Sequence, residues 1–274
     1  MKVLVTGSKG FLGAHIVRKL EELGFETAGF DLPECDLSNR DQLHKAISEC
    51  TDVVHCAAVA DVYHALADYE KCTLINVVGT ERVATICKAL GKNLYFISTM
   101  CAYGNGGETL APTENYAAGK IAAEYLIRGT GCRHIIFRCP TMFGPGMREA
   151  LFVFQAMRCI SAGNMITVNG DGNQERQYGY VEDTAANIAL AVSKQRGWND
   201  VYDLPGPQGI SVNRVISEVE NLAGRSAFTR FVNARPWEIH KQVQTFKKFQ
   251  DAFGAYHVRP FSDGMALTWE WFKS

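Results

Sequence analysis

Residues 5–13, VTGSKGFLG, constrain this chain more than any other stretch of it. Glycines at 7, 10 and 13 follow an apolar run, KVLVTG (2–7), and open a stretch of helical patterning at 11–23. A strand that turns straight into a helix needs small residues at the bend, where the backbone reverses tightly and the new helix packs against the sheet. The same geometry leaves free N–H groups and the positive end of the helix dipole facing outward, a ready site for phosphate. Three glycines alone would also suit a plain tight turn. What favours a dinucleotide site is the strand–turn–helix context, together with Asp31 at the end of the second apolar run, FETAGFD (25–31). An acidic side chain there accepts both hydroxyls of an adenosine ribose and repels a 2′-phosphate, which favours NAD over NADP. Lys9, inside the loop, points mildly the other way, since a cation there could meet that phosphate.

Further strand candidates follow at DVVHCAA (52–58), NLYFIS (93–98) and HIIFRC (134–139), with helix candidates at 39–49, 66–90 and 114–128 between them. Short apolar strands alternating with amphipathic helices imply a parallel sheet covered on both faces, and right-handed crossovers make it doubly wound. The expected fold class is therefore α/β, a Rossmann-type sheet. After FGPG (143–146) the rhythm loosens into helix candidates near 148–161, 181–193 and 211–223 and strand candidates VYDL (201–204) and FTRFV (228–232). We expect a cofactor-binding domain at 1–146, with 177–204 packing back on it, and a smaller, interleaved substrate lobe at 147–274. The cleft between them is the default ligand site.

Composition narrows the partners. A formal net charge of −1 gives no electrostatic pull toward nucleic acid or an anionic membrane, and no apolar run is long enough to span a bilayer. The start, MKVLVTGSKG, reads as a buried strand with no leader-type apolar region. Nine cysteines, an odd number with no CxxC pair, argue for reduced thiols in a cytoplasmic setting and against a disulfide framework or a metal site.

NYAAGK (115–120) sets Tyr116 four residues before Lys120, on one helix face. Taken alone, such a pair is ordinary solvated helix surface. Its surroundings change the reading. The glycine loop, HCAAVA (55–60), NVVGT (76–80), ISTMCAYG (97–104), YAAGK (116–120), FRCPTMFGPG (137–146), NGDGNQERQYGYVEDTA (169–185), VYDLPG (201–206) and ARPWE (234–238) occur in the order found in extended short-chain dehydrogenases/reductases. The chain resembles the nucleotide-sugar epimerase/dehydratase branch of that family over nearly its whole length.

The resemblance implies a catalytic set of Thr99, Tyr116 and Lys120. Tyr116 would be the acid/base, its phenol brought down from about 10 by the Lys120 cation and the positively charged nicotinamide. Thr99 would orient the reacting oxygen. The cofactor, NAD, would lie against Gly7, Lys9, Gly10, Phe11, Leu12 and Gly13 of the loop, Asp31, the Asp36–Leu37 step beside the adenine, and Cys56, Ala57 and Ala58 at a strand end. Asn76 would brace that site from behind. Arg176 and Arg235 match arginines that hold a sugar-nucleotide diphosphate, for which a planar, permanently charged fork is suited; each would otherwise be a plain surface arginine. Arg138 reads as structural.

Some positions depart from the family pattern. Met100 and Cys101 stand where 4,6-dehydratases carry an Asp–Glu pair, so dehydration is not expected. Thr141, a further candidate substrate contact, replaces a common asparagine, and only eleven residues separate Gly104 from Tyr116. The leading expectation is an NAD-dependent sugar-nucleotide epimerase. A reductase of a keto-sugar or other carbonyl, and a non-catalytic NAD-binding redox sensor, are the alternatives. Helices 66–90 and 114–128 match those of a family homodimer interface and carry spare apolar residues, among them Leu74, Val77, Val78 and Ile86.

Overall fold

The computed structural model describes residues 1–60 and 67–274. Six strands, β1 (Lys2–Thr6), β2 (Glu26–Phe30), β3 (Asp52–His55), β4 (Asn93–Thr99), β5 (His134–Cys139) and β9 (Asp200–Asp203), form one sheet in the order β2-β1-β3-β4-β5-β9. All its pairings are parallel. The central strands are buried on both faces, which is why they read as unbroken apolar runs. The chain winds one way from β1 to β2 and the other way from β1 to β3, so the switch point lies between β1 and β3, where doubly wound sheets bind ligands. The fold is the expected α/β class, and among the described residues β2 is the edge of the sheet.

Helix α1 (Phe11–Glu22) buries Leu12, Ile16 and Leu20, one face at a spacing of four. Asn39 caps α2 (Arg40–Ser48) by accepting from the Gln42 N–H at 3.1 Å. Of the expected helix 66–90, residue 66 lies outside the described residues. The rest is α3 (Tyr69–Thr73), a π-helical turn (Leu74–Gly79) and α4 (Thr80–Ala89). Helix α5 (Asn115–Thr130) ends at Gly131, whose φ of 68° closes it in the left-handed region.

The second half adds β6 (Thr141–Phe143), α6 (Phe152–Ala162), β7 (Met165–Asn169), β8 (Glu175–Tyr180) and α7 (Val181–Lys194) before β9. After it come β10 (Gly209–Ser211), α8 (Val212–Ala223), β11 (Phe228–Val232), α9 (Lys247–Phe253) and α10 (Phe261–Lys273). Strands β10-β8-β6 form a small sheet, and β11 pairs with β7. This lobe has its own core, with Phe143, Met157, Val219 and Met265 fully or nearly fully buried. The lobes interleave. Helix α7 packs on α1 in the main core through Val181, Ala185 and Ile188, and Phe249 and Phe253 of α9 join that core as well.

Among the described residues no helix is long and apolar enough to cross a membrane, and all nine cysteines are free.

Candidate active site

A cavity of about 1090 Å³ runs from the β1–α1 loop, past the carboxyl ends of the central strands, into the second lobe. Its first wall is the glycine loop. Gly7 has a φ of 69°, and a Cβ there would come within 2.8 Å of the Ala57 nitrogen; a Cβ on Gly13 would sit 2.0 Å from the Gly7 carbonyl oxygen. Side chains at either position would fill the cradle. Gly10, Phe11 and Leu12 complete that wall, with Asp31, Asp36 and Leu37 beyond β2 and Cys56, Ala57 and Ala58 beyond β3.

Two of the expected cofactor residues stand off the cavity wall. The Lys9 backbone N–H donates to Asp31 Oδ2 at 2.8 Å, while its ammonium pairs with Glu34 at 2.5 Å. The cation that could have met a 2′-phosphate is therefore held by a second carboxylate, Glu34, which sequence reasoning overlooked. Asn76 is fully buried in the π-helical turn, its amide bonded to both the N–H (2.8 Å) and the carbonyl (2.9 Å) of Val59. These bonds tie the Val59 backbone, on the cavity wall, to the π-helical turn behind it.

A buried chain of hydrogen bonds joins that brace to the cavity. The Ala57 N–H donates to Thr6 Oγ1 at 3.2 Å, and Thr6 Oγ1 lies 2.7 Å from His55 Nδ1. His55 Nε2 lies 3.0 Å from Thr80 Oγ1, which donates to the Asn76 carbonyl at 2.7 Å. With Thr80 donating onward, His55 must carry its proton on Nε2 and accept from Thr6 at Nδ1. Burial pulls His55 down to about 3, with help from the Lys120 charge, so the ring is neutral. No local pattern in the sequence marks His55, because its hydrogen-bond partners, Thr6 and Thr80, come from two distant segments.

Thr99, Tyr116 and Lys120 come together on the next stretch of wall. Thr99 ends β4, and its hydroxyl accepts from the Cys101 N–H at 3.1 Å. Tyr116 and Lys120 lie on the first turns of α5. The cap of that helix is Glu114, whose carboxylate accepts from the N–H groups of Tyr116 (2.6 Å) and Ala117 (2.9 Å). Burial raises the Glu114 carboxyl against the effect of those two bonds. Lys120 is 2% exposed; its ammonium donates to the Ile97 carbonyl at 2.8 Å and lies 4.7 Å from the centre of the Phe96 ring. Burial pulls it down to about 8. Burial also drives the Tyr116 phenol well above its ordinary range, with Cys101 and Glu114 adding to the rise and Arg148 opposing it. The resting tyrosine is therefore the protonated acid.

One turn beyond Lys120, fully buried Glu124 anchors α5 to the sheet. It accepts from Ser98 (2.5 Å) and from both Arg138 Nε (3.0 Å) and Nη2 (2.7 Å). Arg138 continues to Tyr103, whose hydroxyl donates to Asp203 at 2.8 Å. Arg138 is thus a structural tie, as expected.

The far wall carries Thr141, Arg176 and Arg235. Arg176 donates to the Ile239 carbonyl and pairs with Glu238 at 2.8 Å; Arg235 approaches the other oxygen of the same carboxylate at 4.0 Å. Glu238 was legible only as part of ARPWE. That it bridges the two arginines is a tertiary fact.

A family model described as NAD dependent epimerase/dehydratase family matches residues 3–204. An uncharacterized UDP-glucose epimerase, YtcB of Bacillus subtilis, is 25% identical over 268 residues, covering 84% of this chain and 85% of the relative. A probable UDP-glucuronate 4-epimerase of Rhizobium meliloti is 25% identical over 308 residues, covering 96% and 86%. Among solved structures, MoeE5 in complex with UDP-glucuronic acid and NAD superposes with a TM-score of 0.94 at 25% identity, over 100% of this chain and 99% of that one. The UDP-glucose 4-epimerase of Thermus thermophilus in complex with NAD gives 0.90 at 26% identity over the same shares.

Proposed function

Because the chain belongs to the NAD dependent epimerase/dehydratase family, we propose that it is an NAD-dependent epimerase of a sugar nucleotide. The observation that carries this reading is one cavity with Thr99, Tyr116 and Lys120 on one wall and Arg176 and Arg235 on another, and with Met100 and Cys101 in place of a carboxylic acid pair. The relatives named for UDP-glucose and UDP-glucuronate epimerisation support the substrate class. Cavities for single small ligands measure about 300–1,000 Å³; about 1090 Å³ suits a cofactor with a substrate beside it.

The residues present fit NAD. Gly7, Gly10 and Gly13 leave the backbone bare for a pyrophosphate, and the N-terminus of α1 faces it. Asp31 and Glu34 are acidic neighbours suited to free ribose hydroxyls and hostile to a 2′-phosphate. Bound NAD supplies a hydride acceptor for oxidising a ring hydroxyl and a donor for reducing the resulting ketone.

The chain's own residues handle the proton. Tyr116 first releases its phenol proton to solvent; as the phenolate it takes the proton of the substrate hydroxyl as the ketone forms and returns it when the hydroxyl is restored on the other face. The buried Lys120 cation, one turn away, favours the phenolate during the first half. Thr99 orients the oxygen, while Arg176 and Arg235 hold the diphosphate as the sugar turns. The carboxylate of Glu114 is occupied by two helix N–H groups and serves as a cap.

We further assign residues 1–146, with 177–204, to cofactor binding and the remainder of 147–274 to substrate binding. The protein is proposed to work as a cytoplasmic homodimer. Free thiols suit a reducing compartment, and Tyr69, Leu74, Tyr125 and Leu126 expose 62%, 54%, 59% and 39% of their surface on α3, the π-helical turn and α5. Pairing about a two-fold axis would bury both stripes.

The test is incubation with UDP-sugars, with chromatography of the products and absorbance of NADH. Interconversion of epimers without net NADH supports the proposal; product matched mole for mole by NADH would replace it with a dehydrogenase. Arg176→Ala should weaken UDP binding about 10- to 100-fold, the worth of a charged hydrogen bond, and leave NAD binding unchanged.

A further inference from the structure

Beyond His55 the chain leaves β3, and residues 56–60 run along the cavity wall. Side chains hold two points of this stretch. The Ala57 N–H donates to Thr6 Oγ1, and Val59 donates its N–H to the Asn76 amide and accepts from it at its carbonyl. Both ties lead back to one residue. His55 Nδ1 lies 2.7 Å from Thr6 Oγ1, and its Nε2 lies 3.0 Å from Thr80 Oγ1, which donates to the Asn76 carbonyl. The bonds close a ring through the wall itself, and Thr6, His55, Asn76 and Thr80 are all fully buried.

The sheet does not need this ring. Thr6 and His55 are already paired in the parallel β1–β3 register, and His55 is paired with Phe96 of β4, on which it stacks at 5.7 Å between ring centres. Apolar side chains of the same shape would fill the space at little loss, because replacing both partners of a buried hydrogen bond can be nearly neutral. What apolar side chains cannot do is fix a backbone N–H beyond the end of a strand. Ala57 carries such a group, and it stands directly across from the glycine loop: a Cβ on Gly7 would come within 2.8 Å of its nitrogen. The ring therefore sets the gap between the glycine loop and the exit of β3, at the switch point of the sheet.

We propose that His55 is a positioning residue for NAD, acting through Thr6 to hold Ala57 in place against the glycine loop, with Thr80 and Asn76 as its anchor. This rests on the NAD reading of the site and adds to it a residue that does not line the cavity. His55 acts by preparing the wall, and a wall already held in its bound shape loses less freedom when the ligand arrives. Histidine suits the task because one neutral ring accepts at Nδ1 and donates at Nε2, in opposite directions.

The test compares three replacements by fluorescence titration with NADH and by titration with UDP, with thermal melting to show that each variant is folded at the titration temperature. His55→Phe keeps a ring on Phe96 and deletes both nitrogens. His55→Gln keeps a donor toward Thr80 and loses the acceptor toward Thr6, whereas His55→Asn keeps that acceptor. We expect NADH binding weakened about three- to tenfold in His55→Phe and His55→Gln, and within about twofold of native in His55→Asn. UDP, at Arg176 and Arg235, should bind all three as it binds the native chain. If His55→Phe does not fold, His55→Gln carries the comparison. Native NADH affinity in folded His55→Phe or His55→Gln would overturn the proposal, since the ring would then only stabilise the fold. Losses equal in all three variants, or shared by UDP, would also overturn it, by marking a general loosening of the structure. A native chain that does not bind NADH would remove the NAD reading, and this proposal with it.

Discussion

Replacing Lys120 with methionine tests the claim that burial tunes this lysine. The side chain is 2% exposed, and burial pulls it from 10.5 down to about 8. At about 1.4 kcal/mol per pH unit, that difference corresponds to about 3 kcal/mol by which the charged form is disfavoured in the fold. The sign follows from proton counting. Between pH 8 and 10.5 the unfolded chain still holds the Lys120 proton and the folded chain has released it, so stability rises with pH. Below pH 8 both forms hold the proton and the cost is constant. Urea unfolding at intervals from pH 7 to 10.5, without added nucleotide, should show the native chain gaining about 3 kcal/mol relative to Lys120→Met. All other titrating groups are common to both chains and cancel. Turnover should run the opposite way to stability at neutral pH, because methionine cannot supply the charge that favours the Tyr116 phenolate. Parallel stability curves would refute the reasoning, since Lys120 would then be solvated in the fold and its proximity to Tyr116 incidental.

Tyr116→Phe deletes a hydroxyl that has no protein hydrogen-bond partner among the described residues; unfolding should change by less than about 0.5 kcal/mol and turnover should fall about 10²- to 10⁴-fold, so near-normal turnover by the folded variant would remove the acid/base role. Asp31→Ala should narrow the preference for NADH over NADPH in fluorescence titrations by about 10-fold or more, and adding Glu34→Gln should narrow it further by releasing Lys9; native protein that prefers NADPH would reverse the cofactor assignment. Leu74→Arg should convert a dimer to a monomer by light scattering at micromolar concentration, and a native monomer would discard the dimer.

Sequence by itself determined the features whose cause is local. Glycines 7, 10 and 13 are demanded by a backbone turn a few residues long, Tyr116 and Lys120 share a face because a helix repeats every 3.6 residues, and buried parallel strands must be apolar on both sides. The motif order carried the family, and the family carried the catalytic set and the arginines. The tertiary structure decided what depends on neighbours distant in the chain. Among the described residues the sheet has no strand beyond β2, and short strands such as β7 and β8 become strands only through partners 32 to 63 residues away. Asn76 became a brace because Val59 meets it, and Lys9 was taken from the cofactor's side by Glu34. Arg176 and Arg235 share a single carboxylate. Above all, the proton affinities of Tyr116 and Lys120 were set by burial, and burial belongs to the packed fold: the energy of a charge depends on how much water and which dipoles surround it, and no spacing of residues along the chain encodes that.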